Sequence, residues 1–285
     1  MAKPDVVGPE DTAARTAMWR ALHVLADAPP HVLDDTLGLA IVAPPEGWQQ
    51  RPDMSAFTAP FRASIVGRAR FVEDLVADRL ARGVDQYVIL GAGLDTFAQR
   101  RPELATRMQV FEVDQPGPQQ WKRQRLVELG HGVPPHLHLV PVDFEAGDRW
   151  WDRLAAAGFD ARRPAVVAST GVSMYLTRDS IAATLREVAA LAPGTTLAMT
   201  FMLPVEMAEP ALRPGIEAAM RGARANGTPF ISMFTPDDMV ELARACGFAN
   251  VEHVSAQMIA ERYFADRPDG LRPPINSEEF VVAST

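Results

Sequence analysis

The chain has 285 residues, of which 47% are apolar, and a formal net charge of −8. This length allows one large α/β domain or two small ones, with a sizeable core. The acidic residues are spread along the chain and form no tail, so no electrostatic footprint for nucleic acid or an anionic membrane is present. We therefore expect a small-molecule partner.

Two features indicate the compartment. Residues 1–19 carry charged side chains and no apolar segment of signal-peptide length, and the longest uncharged run, residues 188–205, is interrupted by Pro193 and Gly194. The one cysteine, Cys246, has no partner for an internal disulfide. The expected location is a reducing cytoplasm, without membrane association.

The first 60 residues predict a helix followed by a lid. Apolar residues recur at helical spacing from Asp11 to Ala26, with Thr12 available as an N-cap. Residues 28–60 are rich in proline and lack periodic apolar positions, which is typical of a lid or binding loop, with a disordered arm as the alternative. We therefore divide the chain into an N-terminal helix and lid segment, residues 1–60, and a main domain, residues 61–285.

Residues 61–82 predict a long helix with an arginine inside its apolar face. Arg68 stands three residues after Ile65 and four before Val72, both on the predicted buried stripe. A charge among apolar neighbours requires a partner. That partner is either a protein carboxylate or the carboxylate of a ligand.

Two predicted strands end in residues suited to a nucleoside ligand. The apolar run 86–90 predicts a buried strand that stops at Gly91 and Gly93, where the absent Cβ atoms let a ligand approach the main chain. The strand over residues 109–114 ends in Asp114, about 20 residues after the glycines, which is the spacing of a carboxylate that binds ribose hydroxyls. An ordinary tight turn would explain the glycines alone, but not this pairing.

A third glycine would complete the dinucleotide fingerprint G-x-G-x-x-G at position 96, where this chain has Thr96. We therefore favour a ribose-containing ligand without a pyrophosphate. An NAD-dependent oxidoreductase remains the alternative function.

The middle of the chain continues the alternation, with a helix predicted over residues 119–129 and a strand over residues 136–140. His136 and His138 share one face of that strand and could hold a metal ion. No third ligand at suitable spacing accompanies them, so we expect a solvated pair at a sheet edge and no metal.

The second half predicts four more strands, over residues 165–169, 197–203, 251–259 and 279–283. Thr177 and Thr235 each precede a predicted helix as N-cap residues. Residues 204–232 interrupt this alternation with one short helical piece and form a candidate substrate cap. Strands alternating with helices predict an α/β fold, a mostly parallel sheet with helices on both faces.

Four motifs, in this order, resemble the bacterial branch of the leucine carboxyl methyltransferase family. They are Val88-Ile89-Leu90-Gly91-Ala92-Gly93-Leu94-Asp95-Thr96, Glu112-Val113-Asp114-Gln115-Pro116, Val142-Asp143-Phe144 and Gly171-Val172-Ser173-Met174-Tyr175-Leu176, with Glu261-Arg262-Tyr263-Phe264 similar to that branch too. The resemblance implies a class I methyltransferase, Rossmann-like fold with a seven-stranded sheet and one antiparallel strand. It also implies S-adenosyl-L-methionine as cofactor of the main domain.

The resemblance carries cofactor contacts to matching positions. It implies that Gly91 and Gly93 lie under the methionine part of the cofactor and that Asp114 binds its ribose hydroxyls. Asp143 and Phe144 resemble the pair that contacts adenine, by a hydrogen bond and by stacking. These assignments agree with the glycine-and-aspartate pattern found above.

Two further positions bear on the methionine end of the cofactor. Arg68 matches the family's arginine that pairs with the cofactor carboxylate. The family's usual glutamate before the glycine of the fourth motif is Thr170 here, which leaves an acid-mediated contact to the cofactor open.

We expect O-methylation of a small-molecule carboxylate or hydroxyl, in bacterial secondary metabolism. A carboxylate acceptor is already ionised and needs no base, whereas a hydroxyl needs one, for which Tyr175 and Tyr263 are the candidates. Each tyrosine could instead be a core aromatic with a satisfied hydroxyl. A methyltransferase-like binding protein without turnover is the second alternative function.

Overall fold

The computed structural model describes Gly8, residues 11–143 and residues 149–285. Within these ranges the strands are β1 (Gln86–Leu90), β2 (Gln109–Asp114), β3 (Leu137–Pro141), β4 (Val166–Ser169), β5 (Thr196–Met202), β6 (Asn250–Val254) and β7 (Glu278–Ser284). The helices are α1 (Asp11–Ala26), α2 (Leu37–Val42), α3 (Ala59–Ala81), α4 (Phe97–Arg100), α5 (Pro102–Ala105), α6 (Pro116–Glu128), α7 (Trp150–Ala156), α8 (Arg178–Ala189), α9 (Arg213–Ala225), α10 (Pro236–Ala245) and α11 (Ala256–Tyr263). Short 3-10 helices lie at Trp48–Gln50, Pro52–Met54, Ala56–Thr58, Ser173–Tyr175 and Val205–Met207.

The seven strands form one sheet in the order β3-β2-β1-β4-β5-β7-β6. The pairs from β3 to β5 are parallel, and β7 runs antiparallel to both of its neighbours. The chain winds outward in both directions from β1 and β4, which makes the carboxyl ends of these two strands the switch point of the sheet. The predicted class I methyltransferase fold is confirmed.

Helices cover both faces of the sheet, as predicted. On one face α7, α8 and α10 pack against the sheet through residues such as Leu154, Leu185 and Met239, each fully buried. On the other face α3, α4 and α11 do so through Val76, Phe97 and other side chains. The central strands β1, β4 and β5 are buried along their whole length because helices cover both faces of the sheet.

The N-terminal segment is more structured than the expected loop. The predicted helix α1 is present with its predicted bounds. Residues 28–60 contain α2 and three of the 3-10 helices, and side chains from them, such as Trp48, pack with α1 in a small separate core. Ile65 and Phe61 of α3 join the same cluster, so the segment packs on the main domain through apolar contacts that the absence of a 3.6-residue period concealed.

The strand predicted over residues 251–259 is wrong in its second half. β6 ends at Val254, and α11 begins directly afterwards. Ser255 ends the strand because its hydroxyl accepts a hydrogen bond from the backbone N–H of Met258, and Glu279 accepts one from that of Ala256. No helix of the described residues is long and apolar enough to cross a bilayer.

Candidate cofactor and acceptor site

The loops that follow β1 and β4 expose bare main chain at the carboxyl edge of the sheet. Gly91 has a φ of +68°, and a Cβ there would lie 2.4 Å from Cγ2 of Val172. Gly171 has a φ of +71°, and a Cβ there would lie 2.8 Å from Nη2 of Arg68. Only glycine avoids both the left-handed strain and the clash. This edge is where ligands of doubly wound folds bind.

Asp114 stands beside the glycine loop, at the end of β2. Its carboxylate accepts hydrogen bonds from the backbone N–H of Gly93 and, at 2.7 Å, from that of Gln115. A carboxylate offers about four acceptor positions, so these two bonds fix its orientation and leave capacity for a ligand hydroxyl. The structure thus brings Gly93 and Asp114 together, as their pairing in the sequence indicated.

Asp143 follows β3 on the same edge. The backbone N–H of Val142 donates to the carbonyl of Asp114 over 2.9 Å, which extends the pairing of the two strands up to Asp143. Phe144, the predicted stacking partner of adenine, lies outside the described residues. The adenine contacts therefore stay a prediction.

Arg68 reaches the same edge from α3 and pairs with a protein carboxylate. Its Nη1 donates to both carboxylate oxygens of Glu278, over 2.8 and 2.9 Å. The two side chains are 15% and 9% exposed. Glu278 is the first residue of β7, opposite Met202 of β5. The guanidinium of Arg68 thus lies between Glu278 and the main chain of Gly171.

Thr170 lies half-buried at the end of β4, immediately before Gly171. Its neighbours are held by a second threonine: the backbone N–H of Gly171 donates to Oγ1 of Thr200 over 2.8 Å, and Oγ of Ser173 donates to the Thr200 carbonyl over 2.7 Å. The loop after β4 is therefore fixed to β5 by neutral groups.

Tyr175 lies next to this loop and close to the charged pair. Burial raises the pKa of its hydroxyl, while a hydrogen bond with Thr12 and the nearby Arg15 and Arg68 act in the opposite direction. Its ring meets that of Phe230 edge-on, with the centroids 5.3 Å apart. The structure therefore places Tyr175 with Arg68 at one site.

Tyr263 lies elsewhere. Its hydroxyl donates to a carboxylate oxygen of Asp74 over 2.8 Å, and Arg70 lies over its ring. Burial and the Asp74 carboxylate both raise the pKa of Tyr263 well above its ordinary value. These contacts join α11 to α3, and none is shared with Arg68 or Tyr175. The hydroxyl of Tyr263 is thus satisfied by Asp74, and a catalytic role for this residue stays a prediction.

The N-terminal helix α1 crosses the glycine loop. A Cβ on Gly93 would lie 3.3 Å from that of Ala13, and Nη2 of Arg20 donates to the carbonyl of Leu94 over 2.6 Å. Thr12 of the same helix lies near the Tyr175 hydroxyl and acts to lower its pKa. α1 thus lies over the edge at which the predicted cofactor contacts meet.

A buried charge network, which the sequence did not indicate, fixes this helix. Asp35 has no exposed surface, and its Oδ2 accepts from Nε of Arg20 at 2.6 Å and from Oγ1 of Thr96 at 2.7 Å. Burial by itself would raise the pKa of Asp35, but Arg20 and Arg100 outweigh it and hold that pKa below its ordinary value. Thr96, the residue that departs from the dinucleotide fingerprint, therefore belongs to this network through its hydrogen bond to Asp35.

The cap segment adds an apolar cluster beside Tyr175. Its buried members are Met174, Met202, Ala208 and Ile216, and its half-buried members are Phe61, Tyr175, Val205, Met220, Phe230 and Met233. The backbone N–H of Ile231 donates to the carbonyl of Met174 over 2.7 Å, while the Ile231 side chain is 53% exposed. The predicted cap, residues 204–232, thus contributes methionine and aromatic surface next to the site.

The histidine pair lies at the edge strand β3, as expected, but it is not fully solvated: Nε2 of His136 is buried and has no hydrogen-bond partner among the described residues. Nε2 of His138 lies 2.7 Å from Oε1 of Gln109, and the His138 ring stacks on Phe111. Among the residues that the structure describes, no three His, Cys, Asp or Glu side chains converge as metal ligands do.

Sequence comparison identifies relatives along most of the chain. A family model for leucine carboxyl methyltransferase matches residues 13–189. YktD of Bacillus subtilis, assigned to the S-adenosyl-L-methionine-dependent methyltransferases, is 34% identical over 207 residues, which are 72% of this chain and 67% of YktD. Rv3787c of Mycobacterium tuberculosis, with the same assignment, is 35% identical over 178 residues, 62% of this chain and 57% of that protein.

Two solved structures share the fold. A protein from Thermobifida fusca, assigned as a methyltransferase, has a TM-score of 0.56 at 19% identity and covers 99% of this chain and 96% of its own. A DUF574 protein from Streptomyces avermitilis has a TM-score of 0.52 at 16% identity, with coverage of 94% and 97%.

These relatives decide between the two ligands that the sequence left open. The cofactor is S-adenosyl-L-methionine, not NAD, and the observed edge suits it: bare main chain at Gly91 and Gly171, a carboxylate at Asp114, and a charged pair at Arg68 and Glu278. The chain belongs to the leucine carboxyl methyltransferase family of S-adenosyl-L-methionine-dependent methyltransferases.

Proposed function

We propose that this protein is an O-methyltransferase that acts on a small-molecule carboxylate or hydroxyl in bacterial secondary metabolism. The observation that carries the proposal is the apolar cluster around Tyr175, to which the cap contributes, with the charged pair of Arg68 and Glu278 nearby. An apolar wall with a few convergent polar groups is the usual form of a small-molecule pocket.

When bound, S-adenosyl-L-methionine would supply a methyl group on a sulfonium for in-line transfer to an acceptor oxygen, with the neutral thioether S-adenosylhomocysteine as the leaving group. The chain has to align that oxygen and exclude water. We assign the main chain of Gly91 and Gly93 and the carboxylate of Asp114 to holding the nucleoside, with Asp143, Phe144 and Thr170 at the adjoining strand ends. Helix α1 contacts the glycine loop at Gly93 and Leu94, and we assign it to limiting the access of water there.

A cation near Tyr175 favours an anionic acceptor. Arg15 of α1 acts on the Tyr175 hydroxyl, and its Nε is buried without a hydrogen-bond partner among the described residues. A buried donor without a partner is destabilising, and an acceptor carboxylate would satisfy it. A carboxylate also needs no base, because it is already ionised at neutral pH.

For a hydroxyl acceptor we favour Tyr175 over Tyr263, because the Tyr263 hydroxyl already donates to Asp74. Thr12, Arg15 and Arg68 lie near the Tyr175 hydroxyl and favour its ionised form, against the effect of burial on its pKa. We assign it to orienting the acceptor oxygen. The same role serves a carboxylate acceptor, for which the hydroxyl donates instead of accepting.

The test is methyl transfer from labelled S-adenosyl-L-methionine into small-molecule fractions of a bacterial extract, with Asp114→Asn as the inactive control. Mild alkali separates the two acceptor classes because it hydrolyses a methyl ester and leaves a methyl ether intact. We expect an alkali-labile product in an apolar fraction. A protein that binds S-adenosylhomocysteine but labels nothing would favour the binding protein without turnover.

A further inference from the structure

Opposite charges meet where the methionine end of the cofactor is expected. The guanidinium of Arg68 lies against the main chain of Gly171. Both carboxylate oxygens of Glu278 accept hydrogen bonds from Nη1 of Arg68. The two residues come from α3 and β7, at opposite ends of the main domain in sequence. Glu278 lies outside residues 13–189, the stretch that the family model matches.

Burying the ion pair of Arg68 and Glu278 has a desolvation cost that a purely structural role does not explain. Both side chains are largely buried, at 15% and 9% exposure, and burial removes water from both charges. Replacing such a pair by apolar side chains is often neutral or stabilising, so a buried pair is weak evidence of a structural purpose. A ligand that carries both charges would make use of it.

The loop after β4 lacks a charge of its own. Thr170 stands where the resembling family carries a glutamate, and the Gly171 loop is held by the neutral groups of Thr200 and Ser173. Glu278 is the carboxylate that the fold brings beside this loop, through its bond to Arg68.

There is also space beside the carboxylate. A cavity of about 10 Å³, the size of one water molecule or one ammonium group, lies beside Glu278; it is lined by the polar residues Ser64, Arg68, Thr200 and Glu278 and by the apolar residues Ala256, Ile259, Pro273 and Phe280. Oγ of Ser64 lies 3.5 Å from Oε2 of Glu278. Hydroxyl and carboxylate oxygens are the acceptors that an ammonium group requires.

We infer that Glu278 is a cofactor-binding residue, which binds the ammonium group of S-adenosyl-L-methionine while Arg68 binds its carboxylate. The inference rests on the methyl-donor site described above. The zwitterionic end of the cofactor matches the two side chains in charge, so each of them exchanges a protein partner for a ligand partner. Glu278 thereby supplies the acid that is absent at Thr170.

The test compares two ligands on the full-length protein by calorimetry: S-adenosylhomocysteine and its analogue without the α-amino group. Glu278→Gln keeps the size and removes the charge. We expect it to weaken S-adenosylhomocysteine about 10- to 100-fold, which corresponds to the usual contribution of a charged hydrogen bond, and to change the affinity for the desamino analogue less than about twofold.

The control is Glu279→Gln, because Glu279 is the next carboxylate on the same strand, is buried and pairs with His253. It should leave the ratio of the two affinities as in the wild type, and thermal unfolding shows whether each variant is folded. Glu278→Asp, which retains the charge, should recover part of the ratio.

Two results would overturn the inference. Equal weakening of both ligands by Glu278→Gln means that Glu278 acts only by holding Arg68, and unchanged affinity for both means that it faces no ligand. A wild-type protein that does not bind S-adenosylhomocysteine would instead refute the methyl-donor site itself, and this inference with it.

Discussion

Gly171 shows how a single absent side chain shapes this site. Its φ of +71° is common among glycines in turns. What distinguishes Gly171 is that Nη2 of Arg68 lies 2.8 Å from the position that a Cβ would occupy. Gly130 offers a matched comparison, because it has a φ of +80° and nothing within 4 Å of a Cβ. The two glycines share the conformational strain and differ in the contact.

We expect Gly171→Ala to weaken S-adenosylhomocysteine binding about tenfold or more, because the new methyl group displaces the Arg68 guanidinium. Gly130→Ala should cost about 1 kcal/mol of stability and leave binding unchanged. Calorimetry and urea denaturation of both variants measure the two effects. Similar binding losses in both would mean that strain, not the contact, is responsible.

Tyr175 and Tyr263 form a second matched pair, because only Tyr175 is proposed to contact the acceptor. Once an acceptor is known, Tyr175→Phe should lower kcat/KM for methyl transfer about tenfold while cofactor affinity stays within about twofold, because only acceptor orientation is lost. Tyr263→Phe should leave transfer unchanged and reduce the free energy of unfolding by about 1 kcal/mol, through loss of the bond to Asp74. Steady-state kinetics and urea denaturation of both variants measure these effects. A lower kcat/KM for Tyr263→Phe with an unchanged value for Tyr175→Phe would contradict the assignment.

At the level of elements, the lid helix α1 is held to the sheet edge by charge. Arg20, 12% exposed at its side chain, joins the Leu94 carbonyl and the buried carboxylate of Asp35. Apolar contacts of α1 with α2 and α3 complete the attachment. Arg20 therefore links helix α1 to the glycine loop at Leu94, and we expect the two to move together.

We expect Arg20→Met to speed backbone hydrogen exchange in α1, since it removes charged hydrogen bonds that contribute about 2 kcal/mol, and to leave exchange in β1 and β4 slow. It should also weaken cofactor binding. Arg51→Met, which breaks the largely exposed pair with Asp53, is the control. Unchanged exchange in α1 would show that apolar packing alone holds the lid.

The sequence revealed those parts of the site that are local in the chain. Gly91, Gly93 and Asp114 follow predicted strands, and strand order alone brings them to one edge. The partners of Arg68 and Thr96 were not predictable in this way, because Glu278 is 210 residues from Arg68 and Asp35 is 61 residues from Thr96. Ion pairs between distant segments leave no periodic signal, whereas a glycine turn or a cap residue does.

For the whole molecule, the buried pair of Glu112 and Lys122 couples stability to pH. Both side chains are 1% exposed, and burial raises the pKa of Glu112 to about 7, against the opposing attraction of Lys122. Because the folded pKa exceeds the ordinary value of 4.5, the folded protein retains a proton that the unfolded chain releases between pH 4.5 and 7. The free energy of unfolding therefore falls as pH rises through this window.

We expect the wild type to lose up to about 3 kcal/mol relative to the double variant Glu112→Leu/Lys122→Met between pH 4.5 and 7. The apolar replacement should be as stable as the wild type or more so near pH 7. Urea denaturation at a series of pH values measures the difference. A difference that stays constant, or grows in the opposite direction, would show that Glu112 is ionised throughout.

The most direct measurement is a crystal structure of the full chain with S-adenosylhomocysteine. We predict that the ribose hydroxyls bind Asp114, that the main chain of Gly91 and Gly93 lies against the methionine part, and that the amino-acid end lies at Arg68 and Glu278. A nucleoside bound away from β1 and β4, or an Asp114 side chain turned to solvent beside a blocked edge, would contradict the site.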